Sequence, residues 1–177
     1  MLVVLFGLIY FSRPQTTNKN PYIGKTFISR AYGISFSYPD NYFLEEKETG
    51  TPQRSRHSIV ITKNTKESQT APKDKTENRG EQTSITIDIY KNFENQNAET
   101  WVKGNSNSNY KLGSNEIQTI TVSDIDALSY RWSGLYDGNS VVLRHKGNIV
   151  MMSVTFAQPS DEIVRVFESI IETLSLE

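Results

Sequence analysis

Tyr32, Ile34, Phe36 and Tyr38 alternate with Gly33, Ser35 and Ser37. A period of two puts the four large side chains on one face of a β-strand. Pro39-Asp40-Asn41 then ends the strand, because proline cannot donate to a ladder and Asp and Asn favour turns. A chain that enters its apolar part in this way must lay a sheet face against a core. Everything downstream has to supply the other strands and the element that covers them.

The same alternation recurs. Ile23 to Ser29 reads as a short edge element, Tyr42 to Glu46 as a second short strand, and His57 to Lys63 as a clearer one with Ile59 and Ile61 on one face. In Ser84 to Tyr90, Ile85, Ile87 and Ile89 point inward and Thr86, Asp88 and Tyr90 outward. Ile117 to Val122 is a further strand. Ala127 to Leu135, Ser140 to His145 and Asn148 to Ala157 form an antiparallel meander, with tight turns expected at Asp137-Gly138 and Lys146-Gly147. On the last strand Val150, Met152, Val154 and Phe156 share a face.

Two helices interrupt the strands. Asn97 to Lys103 is short, with Glu99 in its first turn, Gly104 as its stop, and Ala98, Trp101 and Val102 as its apolar side; the polar Asn105 to Asn109 follows as a loop. The terminal helix opens at Pro159-Ser160, with Ser160 as N-cap and Asp161 and Glu162 at the positive end of the dipole. Ile163, Phe167, Ile170 and Leu174 follow helical spacing, widened by Val164 and Ile171. That stripe must pack on a sheet. The fold class is therefore α+β, an antiparallel sheet of about six strands flanked by helices.

Apolar residues make up 36% of the 177, below the roughly 45–50% of an average globular domain. The shortfall lies in polar stretches that dilute an ordinary core. Residues 64–83 hold no aliphatic side chain larger than Ala71 and mix charges of both signs, so they are expected to form a disordered loop. Met1 to Phe11 is uncharged and apolar apart from Gly7 and the Tyr10 hydroxyl. As a helix it spans about 16 Å, roughly half a bilayer core. Two readings stand: the end of a membrane anchor or signal segment, or a first element of the fold. The polar Gln15 to Pro21 that follows reads as a tether and favours the first. The expected organisation is an anchor or signal segment over residues 1–12, a polar linker over 13–27 and a single domain over 28–177.

The chemistry carried by the sequence is sparse. No cysteine is present, which removes disulfides, thiolate metal sites and Cys nucleophiles. A net charge of -1 with intermixed signs does not make a nucleic-acid surface. His57 and His145 are the only histidines, each at a strand end, and read as ordinary strand-end residues. Asp124 and Asp126 lack the remaining oxygen ligands of a calcium loop and read as turn formers. Glu45 and Glu46 are adjacent and point to opposite sides of a strand, so they form no acid/base pair. Trp101 and Trp132, among apolar neighbours, read as packing residues rather than ligand platforms. Tyr90, Arg131 and Arg144 occupy outward strand positions, where surface decoration is the default and a partner face the alternative. No residue is assigned a catalytic, cofactor-binding or metal-binding role, and no cofactor is expected.

The opening Tyr32-Gly-Ile-Ser-Phe-Ser-Tyr-Pro39 resembles the start of PsbP-like and Mog1-like domains. The short helix at Ala98 to Lys103 and the closing strand and helix, Asn148 to Ala157 then Phe167 to Leu174, match the order of elements in those families. Leu174-Ser-Leu176 departs from the pattern, standing where an aromatic residue is common. The resemblance covers about residues 28–177 and implies an α-β-α sandwich. Better-known members are non-enzymatic assembly or binding subunits, extrinsic photosystem proteins and a Ran-GTPase partner among them. It transfers no site residue. With the apolar start, it implies a membrane-anchored, extracytoplasmic bacterial module that binds a protein or envelope component and no nucleic acid. The alternative is a small-ligand carrier or enzyme using a cleft near the short helix at Trp101.

Overall fold

The computed structural model describes residues 22, 24–51, 55–64, 83–113 and 116–177. The expected anchor over residues 1–12, nearly all of the tether that follows it, and all but the ends of the 64–83 loop lie outside the described residues.

Ten strands and two helices follow one another as β1 (Lys25–Ser29), β2 (Ile34–Tyr38), β3 (Tyr42–Thr49), β4 (Arg56–Lys63), β5 (Ile85–Lys91), α1 (Ala98–Gly104), β6 (Gln118–Val122), β7 (Ile125–Ser133), β8 (Asp137–His145), β9 (Asn148–Phe156), α2 (Glu162–Thr173) and β10 (Ser175–Leu176). Seven strands form the main sheet, in the order β3-β4-β5-β9-β8-β7-β6, and every pairing is antiparallel. The count is seven rather than about six. A separate three-stranded sheet, β1-β2-β10, is built from the entry strand and the C-terminal residues. Its first strand begins at Lys25, within the stretch read as the end of the linker, because Phe27 is buried and stacks on Phe36 at 5.1 Å.

One face of the main sheet carries the larger core. Ile59, Ile61, Ile85, Ile87, Leu143, Met152 and Val154 are fully buried there, beneath Ile34 and Phe36 of β2 and the stripe Ile163, Val166, Phe167 and Ile170 of α2. Of the stripe read from sequence, Ile163, Val164, Phe167, Ile170 and Leu174 are buried and Ile171 partly so, while Val166, which was not read as part of it, is fully buried. The N-cap of α2 is Asp161 rather than Ser160. Its carboxylate turns back to accept from the amides of Ala157 and Gln158, at 3.0 and 2.9 Å, and so fastens the turn that launches the helix.

The opposite face is covered by α1 and the two 3-10 turns after it, Ser106–Ser108 and Tyr110–Leu112, where a polar loop was expected. Asn97 caps α1 by accepting from the Thr100 amide at 2.8 Å, as an Asn N-cap should. Gly104 ends the helix from inside, and the extended Asn105 stops it. Beneath lie Tyr90, Trp101, Val102, Tyr130, Trp132, Val142, Ile149 and Met151. Tyr90 and Asp88, read as outward-facing, are therefore buried, because the second face of β5 is also roofed. Tyr90 is therefore a packing residue beneath α1 rather than an exposed outward one. Of the other two residues considered for a partner face, Arg131 donates to Asp137 at 3.1 Å and lies over the Phe156 ring, and Arg144 donates to Asn95.

The hairpins show where turn chemistry prevails and where packing overrides it. Lys146 and Gly147 both have positive φ, as a two-residue turn requires, and Ser123 and Asp124 do the same between β6 and β7. Asp137-Gly138 makes no turn. Both residues belong to β8, Gly138 facing Trp132 in register, and the chain reverses at Gly134–Tyr136 instead.

Candidate functional site

Two groups of polar side chains stand out, one on each face near the β3 edge of the sheet. The first is built around His57 of β4. Register places His57 opposite Glu48, with Glu46 two residues along on the same face. Glu48 Oε1 lies 2.7 Å from Nδ1 and Glu46 Oε2 lies 3.0 Å from Nε2, so each ring nitrogen has a carboxylate partner. Tyr32, from the turn between β1 and β2, tilts over the ring at 4.9 Å. His57 is thus the hub of a cluster rather than an isolated strand-end residue. The sequence signal was the alternation of Glu46 and Glu48, which the pairing of β3 with β4 turns into a clamp. Among the described residues no group of three His, Asp or Glu side chains is arranged to hold a metal ion.

His145 sits on the other side of the same turn, its Nε2 buried without a hydrogen-bond partner among the described residues. Burial, and then the neighbouring Lys146 charge, push its pKa below the usual histidine value, while backbone bonds to Gly33 and Tyr32 oppose them. The two histidines do not converge on a shared ligand position. They brace the two flanks of the Tyr32-Gly33 turn.

The second group surrounds an open cleft of about 710 Å³ on the α1 face. Three segments line it: the end of the β3–β4 hairpin with Thr49, Ser55 and Arg56; the stretch leaving β5, from Tyr90 to Gln96; and, just after it, α1 with its following turn, from Thr100 to Asn107. Trp101 stacks obliquely on Tyr90 at 5.0 Å and forms part of the wall while remaining 5% exposed. The packing role expected of Trp101 and Trp132 is what the structure shows, both being buried in the smaller core.

Arg56 is the most tightly prepared group in this cleft. Its Nε donates to Thr49 Oγ1 at 3.2 Å, with Asp88 Oδ1 behind it at 3.7 Å. Asp88 is itself buried and accepts from Ser58 Oγ. A hydrogen bond to Tyr90 raises the Arg56 pKa further, and burial raises that of Tyr90. At the end of β5, next to Tyr90, Lys91 Nζ stands 5.9 Å from the ring centroid of Phe93, which is 71% exposed. Glu94 is the one carboxylate among the described lining residues, and it accepts from Gln96 Nε2 at 2.5 Å. Asn92 folds the segment by bonding the Gln96 backbone with both ends of its amide. Arg56 was not singled out in the sequence; its value arises from Thr49 of β3 and from Asp88 and Tyr90 of β5, the two strands that flank its own.

The arrangement defines a class: an antiparallel α+β sandwich whose two faces carry different helices, with a polar cleft beside the shorter one. The chain belongs to the PsbP-like protein family, whose family model matches residues 11–176. The solution structure of cyanobacterial PsbP (CyanoP) from Synechocystis sp. PCC 6803 is similar, with a TM-score of 0.54 and 10% identity over 90% of this chain and 96% of that one. A protein from Bacteroides thetaiotaomicron VPI-5482 superposes with a TM-score of 0.49 and 18% identity, over 87% of this chain and 48% of that one. No curated protein matches the chain. The first likeness agrees with the fold read from the order of elements.

Proposed function

We propose that this PsbP-like domain is a non-catalytic binding module, held at the extracytoplasmic face of a membrane, whose partner-facing site is the cleft beside α1. The observation that carries the reading is the cleft's make-up: an arginine held by three neighbours and one carboxylate, Glu94, with no histidine among the described lining residues. Hydrolysis by paired carboxylates needs two, and an activated serine needs an adjacent base. The described lining offers neither arrangement, whereas it is well suited to holding a polar ligand. Tethering is supported by the apolar Met1 to Phe11 and the polar stretch behind it. Among the described residues no helix is long and apolar enough to cross a membrane.

Expression of the full chain followed by membrane fractionation and crosslinking tests the proposal. Recovery with the membrane, and capture of one envelope component that Arg56→Ala loses, supports it. Recovery wholly in the soluble fraction removes the tether. Capture unchanged by Arg56→Ala moves the binding face elsewhere. A second reading, a soluble carrier of a small ligand, draws on the same cleft at Trp101. A chain that binds its ligand equally well while free of the membrane favours that reading.

A further inference from the structure

We infer that the cleft beside α1 takes a carboxylate-bearing saccharide, an inference that rests on the binding-module reading and names the ligand of the same site. The first ground is what lines it. The hydrophobic residues of the described lining are the aromatics Tyr90, Phe93 and Trp101, and no Val, Leu, Ile or Met is among them. A peptide is recognised through recesses for its side chains or by adding a strand to a sheet edge. This cleft lacks aliphatic recesses and opens on a sheet face. The exposed Phe93 ring instead offers a flat apolar surface suited to the C–H face of a sugar.

The second ground is the polar complement. Thr100, Asn105 and Asn107 reach the cleft from α1 and the turn after it, and Ser55 from the opposite side. Asn105 accepts from the Asn107 amide through Oδ1, which leaves its NH2 group for other partners. A side-chain amide presents an acceptor and two donors in one plane. Neighbouring sugar hydroxyls, each both donor and acceptor, satisfy that set without leaving buried groups unpaired. A volume of about 710 Å³ holds a short oligosaccharide and falls inside the roughly 300–1,000 Å³ usual for ligand sites.

The third ground is charge. Arg56 and Lys91 are the cations among the described lining residues, and Glu94, which already accepts from Gln96, is the one carboxylate among them. With its Nε donating to Thr49 and a further bond made to Tyr90, the Arg56 guanidinium is fixed in orientation; the rest of its N–H donors are left for a ligand. A planar fork held in this way can pair bidentately with a carboxylate, which the point charge of a lysine cannot do.

Titration of the purified full chain with sialyllactose, lactose and hexaglutamate tests the assignment. Sialyllactose and lactose differ by one carboxylated sugar, and hexaglutamate supplies carboxylates without a sugar. Saturable binding of sialyllactose, with lactose at least about tenfold weaker, is the expected result. Arg56→Lys should weaken sialyllactose by about tenfold and leave lactose unchanged, and Lys91→Ala, at an exposed position, should weaken it without affecting the fold. Equal binding of sialyllactose and lactose overturns the carboxylate requirement. Tighter binding of hexaglutamate overturns the saccharide class while leaving a binding module intact. Absence of binding by all three overturns the inference, whereas the module reading fails only if membrane crosslinking also captures nothing.

Discussion

The indole of Trp132 lies flat across Gly138, its antiparallel partner on β8, so closely that a Cβ at position 138 would overlap the ring. Trp132 Nε1 meanwhile donates to Ser140 Oγ at 2.9 Å, and Ser140 is paired to Ser153 at 2.8 Å. The absent side chain makes room for the largest residue of the smaller core. The glycine is needed for close approach rather than for a turn.

Gly138→Ala should therefore destabilise the domain by about 1–3 kcal/mol, the scale of overpacking, read as a lower urea midpoint. An unchanged midpoint would show that Trp132 has another position open to it.

Phe167 is 3% exposed at the centre of the α2 stripe. Phe167→Ala should cost about 3–5 kcal/mol. A loss under about 1 kcal/mol, the size of an ordinary surface change, would contradict the packing of α2 on the sheet.

The Tyr130 hydroxyl donates to the backbone carbonyl of Ser108 in the smaller core, and burial pushes its pKa well up. Tyr130→Phe removes that donor and leaves the carbonyl short of a partner, at a cost of about 1–3 kcal/mol. Slower amide exchange or unchanged exchange around Ser106–Ser108 in the variant would argue that the bond does not hold the turn in place.

His145 sets a pH dependence. Burial lowers its folded-state pKa below the unfolded value, which is about 6.5. As pH falls the unfolded chain binds the proton first, so the contribution is present above the unfolded value and is lost as pH drops through the depressed folded value. Denaturation midpoints at pH 7.5 and pH 5 should fall further for the wild type than for His145→Gln. Equal falls would remove His145 from the acid response.

Much of the architecture was legible locally. The Ile85-Ile87-Ile89 alternation, the α2 stripe and the Lys146-Gly147 turn each follow from spacing and side-chain type, and each is found. What failed depended on neighbours distant in sequence. Asp137-Gly138 carries the strongest hairpin signal in the meander, yet Trp132 takes Gly138 for packing and shifts the reversal to Gly134–Tyr136. Tyr90 and Asp88 looked exposed because nothing local shows that α1 crosses their face. The cleft was visible only as a possible space near Trp101. Arg56 could not be singled out, since Thr49, Asp88 and Tyr90 give it meaning only after β3, β4 and β5 have paired.

The small sheet has a bearing on the order in which the molecule can be completed. Ser175 and Leu176 pair with Ser35 and Ile34, and the Glu177 amide donates to the Gly33 carbonyl at 3.0 Å. The second edge of the entry strand is therefore closed by residues that lie far downstream in the chain. Pairing across so long a separation is slow to form. Ile34 and Phe36 share their core with α2, which comes far later in the chain, so the opening hairpin is expected to gain its cover late in folding.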